Sequence, residues 1–243
     1  MIEFIKVALE DVQNAFDIRE SLFEKYFVGE ILKDEFLVSL ANQRASDFDW
    51  QKETPLGGAG TTLNAVVLYC LIKHYNLNSV IETGVSGGYY SSFILSALKN
   101  ARHKENFLLS LELSGDTSKI GKFIPENLKD GWDLIVGKSS LDTFKEWKVS
   151  GIEHFAGLYC HDSLHTLSHM LRELHEFKQS VSDEFFIFID DQNAEAFWDK
   201  ALAMKAFDKP GYDVKYISGK ESRLQGHLGG FLKYERKSRK ESQ

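Results

Sequence analysis

Apolar positions recur along the chain in two rhythms, and the switch between them predicts how it folds. Over the first 50 residues Val12, Ala15, Phe16, Ile18, Leu22 and Phe23 return at mixed three- and four-residue steps with charges between them, which marks helices with one buried side. The glycines and β-branched runs found later are missing here. Residues 1–55 are therefore expected to be a helical extension, serving as a cap or an interaction arm. A break at Pro55-Leu56-Gly57-Gly58-Ala59-Gly60 leads into a helix that Thr61 or Thr62 would cap. It runs to about Tyr75, with Leu63, Val66, Val67, Cys70 and Leu71 on its buried face.

Beyond that helix, short apolar runs alternate with amphipathic ones. Strands are expected at Ser79–Thr83, Asn106–Leu113, Trp132–Val136, Phe155–Cys160 and Phe185–Asp190. Helices are expected at Tyr89–Lys99, Leu141–Trp147 and Leu164–Phe177, and again up to about Phe207. Such alternation implies βαβ units and a parallel sheet covered on both faces. Phe185-Phe186-Ile187-Phe188-Ile189 is apolar throughout, as a central strand of that kind should be. After Gly211 the rule changes: Tyr212–Ser218 and Gly229–Arg236 read as strands without a helix between them, hence an antiparallel hairpin. The fold class is α/β, with a seven-stranded, mostly parallel sheet over residues 56–236 and a basic tail at 237–243.

Composition adds limits. The net charge of −7 speaks against nucleic acid as the main partner. The basic run Lys233, Arg236, Lys237, Arg239 and Lys240 reads as a solvated tail rather than a binding patch. Cys70 and Cys160 lie in apolar runs, as buried reduced thiols would, which fits a cytoplasmic setting. No apolar run approaches the ~18 residues of a membrane span, and the start has no basic segment followed by an apolar one.

Candidate chemistry gathers at the strand ends. The first strand ends in Glu82-Thr83-Gly84-Val85-Ser86-Gly87-Gly88, where glycines let the backbone approach a ligand closely. Such a loop alone is a weak signal. Glu82 would repel a dinucleotide pyrophosphate but tolerate a donor with an amino group and a sulfonium, which favours S-adenosylmethionine over NAD. Glu112, ending the second strand, can accept from both ribose hydroxyls, a device that both cofactors use. After the third strand, Gly137-Lys138-Ser139-Ser140 can border an adenine, with a plain helix cap at Ser139 or Ser140 as the alternative.

Together these segments resemble the class I methyltransferases. More narrowly, they resemble the branch of macrocin- and mycinamicin-type sugar O-methyltransferases and cephalosporin-hydroxylase-like proteins. The likeness runs from about Gly57 to Tyr234, and five parallel strands followed by a hairpin fit that Rossmann-like sheet. Its most specific pieces are Glu82 to Gly88, His161-Asp162-Ser163-Leu164-His165-Thr166 and Ile189-Asp190-Asp191. The resemblance implies a metal ligand at Asp162, a base at His165, and further metal ligands at Asp190 and Asp191. Lys138 departs from the acid often found at that place in related enzymes.

Three carboxylates converging on one crevice would repel one another unless a cation sat between them, and oxygen donors favour Mg²⁺ or Mn²⁺. The expected activity is methyl transfer from S-adenosylmethionine to a hydroxyl of a small polyhydroxylated acceptor, a sugar or sugar nucleotide. The metal would orient a diol and His165 would take its proton. Competing readings are an oxidoreductase or hydroxylase-like relative, or a silent partner subunit. Asp162, and Asp190 with Asp191, could also merely cap the helices that follow. His165, His169, Arg172 and Glu176 are expected on one helix face, with Leu164, Leu167, Leu171 and Leu174 as the core stripe. A metal site at His165 and His169 is the less favoured reading of that face. His161 could line the crevice or be structural. Self-association through the N-terminal helices is plausible, with neither membrane nor nucleic acid as partner.

Overall fold

A computed structural model describes residues 1–47, 57–99, 107–150, 156–178, 181–190, 211–224 and 228–237. The N-terminal part holds α1 (Ile2–Ala15), a π-helical turn at Phe23–Val28, a 3-10 turn at Ile31–Lys33 and α2 (Glu35–Asp47). Then come α3 (Gly57–Tyr75), β1 (Ser79–Thr83), α4 (Tyr89–Lys99), β2 (Phe107–Glu112), a 3-10 turn at Glu126–Gly131 and β3 (Trp132–Val136). The chain continues through α5 (Ser140–Ser150), β4 (Ala156–His161), α6 (Leu167–Phe177), β5 (Val181–Ile189), β6 (Tyr212–Ile217) and β7 (Gly230–Arg236).

The sheet order is β3-β2-β1-β4-β5-β7-β6. β1 to β5 pair in parallel and β6 pairs antiparallel with β7, as the sequence pattern predicts; the structure adds that β7 lies between β5 and β6, antiparallel to both. Side chains on successive strand residues point to opposite faces, so each face builds its own core. Val80, Leu158, Cys160, Phe186 and Phe188 join the core shared with α1, α3 and α4. Ile81, Tyr159, Phe185, Ile187 and Ile189 join the other, with Phe144 and Trp147 of α5 and Met170, Leu174 and Phe177 of α6. The Phe185–Ile189 half of β5 has no polar alternation because neither of its faces meets water, whereas Glu184 is exposed; each fully buried Phe is worth about 1.5–3 kcal/mol.

The N-terminal segment is fastened to this domain. Ile5, Ala8, Leu9, Val12 and Phe16 are buried in the α3/α4-side core. Asp11 of α1 accepts from the Ser222 hydroxyl and the Arg223 backbone N–H, both at 2.8 Å, and pairs with the Arg223 guanidinium at 2.5 Å.

Four expectations need correction. α3 starts at Gly57, so Thr61 and Thr62 lie inside it and neither caps it. α6 starts at Leu167 rather than Leu164, because Thr166 is extended (φ −113°, ψ 137°), so His165 precedes the helix and shares no helical face with His169. The buried stripe of α6 is Met170, Glu173, Leu174 and Phe177, while Leu164 and Leu167 are exposed. Both stripes have helical spacing and share Leu174; the inward one adds Met170 and Phe177 to the core and aims Glu173 at its polar partners. Lys233 is no tail residue: it is buried in β7, paired with Glu184 at 2.8 Å and stacked 4.2 Å over the Tyr75 ring. The helix expected up to Phe207, residues 238–243 of the tail and Asp191 lie outside the described residues. No described helix is long and apolar enough to cross a membrane.

Candidate active site

The strand order reverses between β1 and β4, and open α/β sheets bind ligands at the carboxyl ends beside such a reversal. A cavity of about 310 Å³ lies there, lined by Gly84, Ser86, Glu112, Ser139 and Asp162 among others. Five of the residues expected around a ligand thus meet in one place.

Gly84 has φ +82°, and a Cβ on it would stand 1.9 Å from the Asp162 carbonyl oxygen. No side chain fits, so the β1 loop and the β4 end touch through bare backbone. The loop is pinned on its other side: Gly121 donates to the Ser86 carbonyl and Phe123 to that of Gly87, both at 2.9 Å. A Cβ on Gly87 would meet the Phe123 ring at 2.5 Å, so this glycine serves packing rather than the cavity.

Glu112 grips the same loop. Its Oε2 accepts from the N–H groups of Val85 and Ser86 at 3.0 and 3.1 Å, and its Oε1 from Ser114 at 2.9 Å. Partial burial works against the charge, but the backbone donors of Ser114, Ser86 and Val85 outweigh it and hold the carboxyl below its usual range. The loop uses both lone pairs of Oε2, so any remaining capacity is on Oε1. Ser139 takes the helix-cap role given as the alternative reading. Its Oγ accepts from the Asp142 N–H at 3.2 Å, capping α5, and the residue also lines the cavity. The Lys138 ammonium turns away to pair with Glu146.

Glu82 is not brought into the cavity. It is buried beneath the loop, where its Oε2 accepts from Ser91 and Ser110, each at 2.7 Å. Burial pushes its carboxyl up to about 7, against those two hydroxyls and with a smaller push from the charge of Glu112.

The acids of β4 and β5 stand side by side. The Asp162 N–H donates to the Thr83 carbonyl at 2.8 Å and the Asp190 N–H to the His161 carbonyl at 2.9 Å, continuing the sheet ladder past the strand ends. Asn64 of α3 donates to Asp190 Oδ1 at 3.1 Å, and its own oxygen accepts from Gly229 at 2.9 Å. Burial raises both carboxyls, Asp162 to about 7, and the charge of Asp190 adds to that effect on Asp162. His165 Nε2 lies 3.4 Å from Asp162 Oδ1 and opposes the shift.

Sequence reasoning missed several residues. Thr83, Leu113, Ser163, Leu164 and His169 also line the cavity. Leu113 and Leu164 are 67% and 59% exposed, giving the mouth an apolar rim. Glu173, wholly buried on α6, is a larger omission. Its oxygens accept from Tyr159 at 2.9 Å, Thr83 at 3.3 Å, Ser163 at 3.1 Å and Ser140, and lie 3.0 Å from Nε2 of both His161 and His169. Burial alone would raise this carboxyl, yet the two histidines and the Ser140 hydroxyl hold it far below the usual range. The available signal was the four-residue step from His169 to Glu173, which places both on one helix face.

Comparison with known proteins agrees with this geometry. Residues 81–192, which include both strand-end acids and the glycine loop, match a family described as a methyltransferase domain. No curated protein matches in sequence. Among solved structures, an O-methyltransferase from Bacillus cereus in complex with SAH aligns over 98% of this chain and 100% of its own, at 14% identity and a TM-score of 0.54. The O-methyltransferase TomG from Streptomyces achromogenes, involved in tomaymycin synthesis and in complex with SAM, aligns over 84% of this chain and 91% of its own, at 15% identity and TM-score 0.56. A methyltransferase from Geobacter sulfurreducens aligns over 90% and 98%, at 14% identity and TM-score 0.55. The fold is the Rossmann-like methyltransferase fold, and the family match supports residues 81–192 as a methyltransferase domain.

Proposed function

We propose that the chain is an S-adenosylmethionine-dependent O-methyltransferase, assisted by a divalent ion and acting on a small polyhydroxylated acceptor such as a sugar or sugar nucleotide. One observation carries this reading. The Gly84–Asp162 backbone contact puts a nucleoside-sized cavity, with Glu112 and Ser139 on its walls, directly beside a half-buried pair of acids.

The donor half follows from chain chemistry. Glu112, its carboxyl held below the usual range, lines the cavity and can offer Oε1 to a ribose hydroxyl. Ser139 borders the adenine position, and the bare backbone at Gly84 lets the donor's chain lie close. The acceptor half rests on Asp162 and Asp190, with Asp191 following in sequence. Two half-buried carboxyls, both raised by burial and Asp162 raised further by the charge of Asp190, fit a hard cation, and oxygen donors suit Mg²⁺ or Mn²⁺. Bound there, a divalent ion would supply charge to orient and acidify neighbouring hydroxyls. His165 then serves as base, its ring positioned by Asp162, whose Oδ1 lies 3.4 Å from Nε2.

Labelled S-adenosylmethionine screened against sugars and sugar nucleotides, with and without Mn²⁺, tests the whole reading. Label should reach an acceptor only with metal, and Asp190→Asn should remove turnover while leaving donor binding nearly intact. Full turnover after exhaustive chelation would sink the metal role. His165→Ala should lower the rate at pH 7 by roughly 10²–10⁴-fold; a rate and pH profile like those of the wild type would remove His165 as base.

A further inference from the structure

We propose that His161, His169 and Glu173 form a second metal site, suited to a borderline transition ion such as Zn²⁺ and separate from the Asp162–Asp190 pair. Their ligating atoms lie within 4.8 Å of one another, the only such trio of His, Cys, Asp or Glu among the described residues. Each imidazole Nε2 is 3.0 Å from a Glu173 oxygen. Ser163 Oγ stands 3.5 Å from His161 Nε2, 3.3 Å from His169 Nε2 and 3.1 Å from both carboxylate oxygens. Donors around a tetrahedral ion with bonds of about 2.0–2.1 Å stand roughly 3.3 Å apart. The separations therefore need little change to close on an ion.

The donor types point the same way. Two imidazoles and one carboxylate form a recurring zinc set that leaves one position open. His169 and Glu173 supply two of these from one helical turn, and His161 comes from the end of β4. Hydroxyls of Tyr159, Ser140 and Thr83 hold the carboxylate in place, as outer partners do around metal ligands. His169 and Ser163 line the 310 Å³ cavity, so the open position faces it. His161 Nδ1 is buried without a partner among the described residues. An ion on Nε2 would put the ring proton there, a penalty that the metal bonds have to outweigh. Without an ion the same atoms make a hydrogen-bonded cage, and those two states can be told apart.

The full chain, stripped with a chelator and titrated with Co²⁺, should bind it with the visible absorption of a tetrahedral site, and Zn²⁺ should displace it. The band should persist in Asp190→Asn. It should weaken by at least about 100-fold in affinity in His161→Asn and in His169→Ala. His169→Ala changes a residue at the cavity wall and keeps the readout usable should the buried His161 variant fail to fold, with circular dichroism as the check. A folded wild-type chain without the band, or a band unchanged in His169→Ala, overturns the proposal and leaves the cage. A band lost in Asp190→Asn but kept in His169→Ala assigns the ion to the acid pair and also overturns it. Methyl transfer is not read at any step, so this result stands apart from the proposed activity.

Discussion

Glu82 and Glu173 are both fully buried glutamates, one on each side of the β1 end, and they have opposite chemistry. Glu82 points to the α4 face and receives two hydroxyls on a single oxygen; burial wins, and its carboxyl rises to about 7. Glu173, on the α5/α6 side, meets four hydroxyls and two imidazoles, and burial loses. Thr83 follows Glu82 in β1, points the other way, and is one of the four. Depth alone therefore says little about a carboxyl's charge: the number of donors aimed at it decides.

The contrast can be broken hardest at Glu173. Glu173→Ala would strand Tyr159, Ser140, Thr83 and two imidazoles in the interior, and should cost about 3–5 kcal/mol in urea unfolding at pH 7. A loss under about 1 kcal/mol would show that water enters and replaces the carboxylate. Glu82→Gln is expected to be next in size, with an effect that depends on pH. Folded Glu82 holds its proton more tightly than unfolded Glu82 does. Its stabilisation is complete below the ordinary value of 4.5 and is lost as pH rises through about 7. That fall is on the order of 3 kcal/mol, and the variant should flatten it. Glu173 works in the opposite direction, since its lowered carboxyl gives stability above 4.5 that disappears as acid protonates it well below that value. Unfolding curves for wild type and Glu82→Gln from pH 4.5 to 8 measure the difference directly, and parallel curves would refute the assignment. Ser91→Ala should have the smallest effect, about 1 kcal/mol, while moving the Glu82 titration further up by removing one of its two donors. A titration by carboxyl-carbon NMR that moves down would contradict the donor count.

Much of the fold was legible because burial writes itself into the sequence as periodicity. β5 reads as a doubly covered strand from five consecutive apolar residues, and the hairpin of β6 and β7 from a change in rhythm after Gly211. Gly84, Ser86, Glu112, Ser139 and Asp162 were legible as a group since each ends a strand or opens a loop on the same sheet edge. The failures share a cause: polar residues that are buried look like polar residues that are not. Glu173 reads as an ordinary helix acid, so the inward stripe of α6 is expected on Leu164, Leu167, Leu171 and Leu174, of which Leu174 alone is fully buried. Glu82 lies one residue from the loop, but strand alternation sends it into the core rather than the cavity. Lys233 looked like part of a basic tail because its partners, Glu184 and the Tyr75 ring, are remote in sequence.

The missing side chain at Gly84 has a mechanical meaning. With only 1.9 Å available for even one carbon, the two strand tips press main chain against main chain, and no flexible group between them can absorb movement. A displacement on one side must be handed to the other almost undiminished. If the two halves of the crevice hold different occupants, each should be felt by the other before they touch.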